Sequence, residues 1–99
     1  MDKVTETVDL LRVLGGRLRN ARLERNDSMA VFSERLGVSE RTLRAMERGE
    51  PTVQVGTWLE ALWLLDRLDE LETVLAPKES LLDRARNTQQ RQRASRRAR

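Results

Sequence analysis

Arg41, Arg44 and Arg48 stand at helical intervals just after the turn Gly37-Val38-Ser39, and of all the side chains in this sequence they have the clearest chemical use. A guanidinium is permanently charged and presents planar donors, which suit phosphate oxygens or, in bidentate fashion, guanine O6 and N7. Beside them, Glu40 can accept from a cytosine amino group, and Thr42 and Ala45 can touch a thymine methyl. Two short helices must position these groups. Met29, Phe32 and Leu36 repeat at helical steps and predict the first, which Gly37 stops because glycine enters the left-handed region without a Cβ penalty. Ser39 is a good N-cap for the second, whose buried face comprises Leu43, Met46 and the stem of Glu47. Ser28 to Gly49 therefore predicts a helix-turn-helix. Its outward polar face has the geometry that enters a major groove.

Composition removes most other chemistry. The 99 residues contain no cysteine and no histidine, so disulfides, thiolate nucleophiles, the usual zinc sites and imidazole catalysis are all excluded. No enzymatic activity, cofactor or metal is expected. Neither a secretory leader nor a long apolar run is present, which places the chain in the cytoplasm and away from membranes.

The charge is unevenly spread. From Pro77 onward eight basic residues face two acidic ones, whereas residues 1–76 hold eleven basic and fourteen acidic. The net charge of +3 therefore comes from the tail, and a high isoelectric point says little about the folded part. Residues 87–99, NTQQRQRASRRAR, have no apolar side chain larger than alanine and cannot bury enough surface to order themselves. A disordered basic arm is expected, with Arg91, Arg93, Arg96, Arg97 and Arg99 adding phosphate or minor-groove contacts.

The remaining elements are read from periodicity. A first helix is expected from Thr5 or Val8 to Arg25, with Leu11, Leu14, Leu18 and Ala21 on one face. Gly15 and Gly16 interrupt it. Either a neighbouring helix approaches closely there, or residues 3–13 form a separate helix; a nearly continuous helix is the preferred alternative. Asp27 or Ser28 caps the next helix. Val53 and Val55 anchor the loop after Gly49, and a fourth helix runs from Val55 to Leu65. In Trp58 to Leu65 only Glu60 is not apolar, more than one helix face can absorb, so part of this run meets another surface, a homodimer being the simplest. Trp63, four residues from Leu59, fits the core stripe, which leaves Trp58 with Leu62 and Leu65 for the dimer interface. Asp66 and Asp69 resemble a helix start, and Leu68, Leu71 and Leu75 follow at the spacing of a fifth helix. The fold class is all-α: a five-helix domain over residues 1–76 and a basic tail over 77–99.

From about Leu14 to Leu65 the chain resembles the lambda-repressor-like, or XRE, group of helix-turn-helix regulators. LGGRLRNAR, the pair Phe32 and Leu36 before Gly37-Val38-Ser39, Leu43, and the MERGE block at Met46 to Glu50 match in order and spacing. Small size, the WLEALWLLDRL segment and the arginine-rich tail look most like HipB-type antitoxins encoded beside a HipA-type kinase. The resemblance implies a partly buried ion pair between Arg22 and Glu47, so Glu47 is architecture and not a catalytic acid. Two positions depart from the pattern: Met29 replaces a glutamine that usually touches phosphate, and Ser33 replaces an alanine at the helix crossing. Backbone contacts from the second helix must then come from its N-terminal amides, Ser28 or Arg35. Arg17 and Arg19 either add such contacts or line a solvated face.

The expected function is a sequence-specific dimeric repressor on a palindromic double-stranded operator, contacting DNA through Ser28, Arg35, Ser39, Glu40, Arg41, Thr42, Arg44, Ala45 and Arg48. The resemblance makes it the autoregulating antitoxin of a toxin-antitoxin operon with a HipA-like kinase partner. The alternatives are a stand-alone, prophage-type repressor and a helix-turn-helix that only bridges proteins.

Overall fold

A computed structural model describes residues 2–78, 86 and 88. Among the described residues up to Lys78, four α-helices follow one another, α1 Lys3–Glu24, α2 Met29–Leu36, α3 Glu40–Arg48 and α4 Val55–Leu64, and a short 3-10 turn spans Leu68–Leu71. No strand occurs among the described residues.

α1 starts where the Asp2 side chain accepts from the Thr5 amide at 2.8 Å, and it runs unbroken through the glycine pair. Packing explains the first of these glycines. A Cβ on Gly15 would sit 2.5 Å from the Glu47 carbonyl oxygen and 2.6 Å from that of Met46, so α1 and α3 touch backbone to backbone there. Gly49 meets α1 in the same way: with φ of 75° it closes α3, and a Cβ on it would lie 2.5 Å from the Leu11 carbonyl. Each of these glycines lets a neighbouring helix approach, and the second also needs the left-handed conformation.

The other helix ends follow the same rule. Asn26, Gly37 and Asp66 adopt left-handed backbone after α1, α2 and α4. Ser28, and not Asp27, caps α2 by accepting from Val31 at 3.1 Å, because the Asp27 side chain is turned inward to meet arginines.

Leu18, Phe32, Leu36, Leu43, Met46 and Ala61 form the core, with Met29, Val38, Val53, Trp58, Leu64 and Leu65 packed around it. Ser33 is buried and its hydroxyl donates to the Ala30 carbonyl at 3.0 Å, so the departure from alanine leaves no polar atom stranded.

Three expectations need correction. The fifth helix does not form. Asp66, expected to start it, instead terminates α4: its amide donates to Trp63 and that of Arg67 donates to Leu62 at 2.8 Å, the paired bonds of a left-handed helix stop. From Glu72 to Lys78 the chain makes turns and irregular backbone, and although Leu71 is half-buried, Leu75 is 98 % exposed, so the last leucine of the series has nothing to pack on and helix nucleation goes unrewarded. Trp63, expected in the core stripe, lies outside it. α4 turns inward at Ala61, which draws in Trp58 three residues before it and Leu65 four after, and Trp63, two residues on, faces solvent at 70 % exposure beside Leu59. Val55 is exposed as well, so Val53 alone anchors the loop.

Candidate nucleic-acid interface

The arginine face rests on α3, so what holds α3 comes first. Arg22 of α1 donates from Nε to Glu47 Oε2 at 2.8 Å and from Nη2 to Oε1 at 3.1 Å, a two-pronged pair whose side chains are 7 % and 6 % exposed. Its Nη1 donates to the Asp27 carbonyl at 3.0 Å, tying the α1–α2 turn into the same network. The hydrogen bond to Glu47 raises the Arg22 pKa above its already high ordinary value, so the guanidinium cannot escape its burial by losing a proton. The ion pair implied by resemblance is present and structural.

The Asp27 carboxylate is a second buried node that the sequence did not announce. It takes Arg25 Nε and Arg35 Nη1, each at 3.3 Å, and Arg25 also donates to the Leu64 carbonyl, fastening α1 to the end of α4. Arg35 of α2 is therefore held by Asp27, and the Ser28 hydroxyl is engaged in capping. Neither lines the groove beside α3.

That groove, of about 600 Å³, gathers five more residues of the predicted face but not Glu40 or Arg44, which lie outside its lining. Ser39, Arg41, Thr42, Ala45 and Arg48 form one wall, and Thr52, Gln54 and Thr57, from the loop after α3 and the start of α4, stand opposite. Ser39 caps α3, accepting from the Thr42 amide at 3.1 Å, which leaves the first turn of α3 projecting at the groove. Arg44 pairs with Glu40 at 3.2 Å, and Arg48 donates through Nε and Nη2 to Glu50 Oε1 at 3.1 and 2.8 Å. Arg41 is exposed and has no ion-pair partner among the described residues. The acids orient two arginines and lower the net charge of the face, so Arg41 is the one most ready to meet an anion.

Sequence reasoning missed Glu50, Thr52, Gln54 and Thr57. The available signal was the polar spacing around Pro51 and the choice of Gln54 to precede α4, where it makes no side-chain cap bond and keeps its carboxamide for outside contacts. Trp58, Leu62 and Leu65, the expected dimer residues, line a separate apolar groove with α1. Arg91, Arg93, Arg96, Arg97 and Arg99 lie outside the described residues.

The grooved polar wall beside a capped, arginine-bearing helix is matched by a comparison of the sequence. Residues 18–61 match a helix-turn-helix family. The match spans the end of α1 and all of α2 and α3, and runs to Ala61 of α4. It supports an XRE-like, DNA-binding transcriptional regulator, from a family that is typically non-enzymatic. No curated protein matches the chain. Among the described residues no group of acidic side chains is arranged to hold a metal ion, and no helix is long and apolar enough to cross a membrane.

Proposed function

We propose that the chain is a sequence-specific repressor that binds a palindromic operator as a dimer, with Arg41 and Arg44 reading base edges and Arg48 and Gln54 gripping phosphates. One observation carries it: α3 lines the groove with two arginines, Arg48 paired with Glu50 and Arg41 without an ion-pair partner among the described residues, and is fixed to α1 by a buried ion pair and a glycine contact. Two such helices related by a two-fold axis meet successive major grooves about 34 Å apart. Because residues 1–76 are net acidic, the arginines beyond Pro77 supply much of the counterion-releasing contact and make affinity steeply dependent on salt.

Footprinting and anisotropy on the chain's own promoter test this. Arg41→Ala with Arg44→Ala is expected to lower specific affinity by ~1 to 3 kcal/mol per lost bidentate contact and to flatten the sequence preference. Equal binding by the double variant would refute the base-reading role. The finer role is autoregulating antitoxin of a HipA-like kinase, supported by the size, the apolar fourth helix and the basic tail. A kinase-like neighbouring gene whose product co-purifies with the chain supports it, and a lone gene favours the stand-alone repressor.

A further inference from the structure

α4 carries more apolar surface than its own fold uses. Val55, Leu59 and Trp63, spaced four residues apart, form a ridge on its outer side, 73 %, 38 % and 70 % exposed. Beside the ridge runs an apolar groove of about 560 Å³ between α1 and α4, walled by Leu11 and Leu14 on one side and Trp58 and Leu62 on the other. Ridge and groove lie next to each other on one face. Glu60 is the only charged residue of α4, and it sits at the far edge of that ridge.

We infer that a second copy of this chain covers the face, the Val55–Leu59–Trp63 ridge of each protomer lying in the other's groove about a two-fold axis. This rests on the regulator acting as a dimer and names the surface that makes it one. Three observations favour a second copy over another occupant. A face bearing both a ridge and the groove to receive it is complementary to itself, as a two-fold contact requires. The ridge with Leu14 of the groove wall exposes on the order of 400 Å² of apolar area, close to what a standard two-fold interface of about 800 Å² per partner contains. Gly56, in the first turn of α4 and next to Trp63 around the helix, has no atom within 4 Å of where a Cβ would stand, so the protomer's own packing does not call for a glycine there and a close neighbour would.

Sedimentation of the full chain tests the inference. The wild type is expected to be a dimer at micromolar concentrations, and Leu59→Glu with Trp63→Glu to weaken association on the order of a hundred-fold while the helical circular dichroism is retained. A second readout needs no disruptive variant: the emission lost in Trp63→Phe, which is that of Trp63, should shift to the red on dilution of the wild type as the ring becomes solvated. A monomeric wild type overturns the inference, as does a dimer that persists in the double variant with Trp63 emission independent of concentration. Operator binding separates the two levels. A chain that dimerises through this face and binds no DNA sinks the regulator reading and leaves the interface standing, whereas operator binding by a dimer indifferent to both substitutions does the reverse.

Discussion

Glu47 ties α3 to α1, and removing its charge is the sharpest test of how this small domain holds together. Glu47→Ala leaves the Arg22 guanidinium buried, still charged, and with one remaining acceptor, the Asp27 carbonyl. Stranding a buried charge in this way costs ~3 to 5 kcal/mol. A domain of this size holds roughly 5 to 10 kcal/mol in all, so about half is lost and Tm should fall by about 15 to 30 °C. Glu47→Gln keeps an acceptor of the same shape but not the charge, and an intermediate loss of ~2 kcal/mol is expected. Arg22→Met with Glu47→Leu removes both charges together and should lie closer to wild type than either single change, because no ion is left unpaired. Urea unfolding followed by far-UV circular dichroism gives the full cycle. If each single substitution costs under ~1 kcal/mol and the pair is simply additive, the pair is not the brace described here.

Two further outcomes follow from the same structure. Gly15→Ala should destabilise strongly, since the new methyl would lie 2.5 Å from a backbone oxygen of α3, whereas Gly16→Ala meets nothing within 4 Å and should stabilise by ~0.5 to 1 kcal/mol through helix propensity; thermal melts of the two variants reverse in sign or the α1–α3 contact is misplaced. Deleting residues 87–99 should reduce the salt slope of DNA binding by about the number of arginines that contact phosphate and leave the preferred sequence unchanged, as titrations at several ionic strengths would show; a changed preference would mean that the arm reads bases.

Much of the fold was legible because local chemistry and tertiary packing agree there. Ser28, Gly37, Ser39 and Gly49 bound α2 and α3 by capping geometry, and Phe32, Leu43 and Met46 are wholly buried, as helical spacing required. Periodicity failed where the deciding partner is remote in sequence. Leu68, Leu71 and Leu75 have the spacing of a helix, but spacing cannot say whether anything lies opposite it, and Asp66 took the left-handed conformation that closes α4. Trp63 was misassigned for a related reason: in an all-apolar run every face looks like a core face, and only the position of Ala61 against the other helices sets the phase of α4. Within the candidate site, the arginines were visible as residue types, but their pairing was not. Glu50 reaches Arg48, and Asp27 gathers Arg25 and Arg35, through side-chain directions set by the turn after each helix.

By itself the sequence determined the chemistry this protein can perform. It has no thiol and no imidazole, it places arginines on a helix with a capping serine before it, and it ends in an arginine-rich tail, and those features belong to residue types and short-range spacing. Only the tertiary structure decided which of these groups are available. Long-range contacts bury Arg22 against Glu47, engage Arg35 with Asp27, leave Arg41 open above the groove, and turn Trp63 outward. The physical reason is the same in each case: availability depends on what packs opposite a side chain, and the α1–α3 contact at Gly15 and Gly49 brings together residues some thirty positions or more apart.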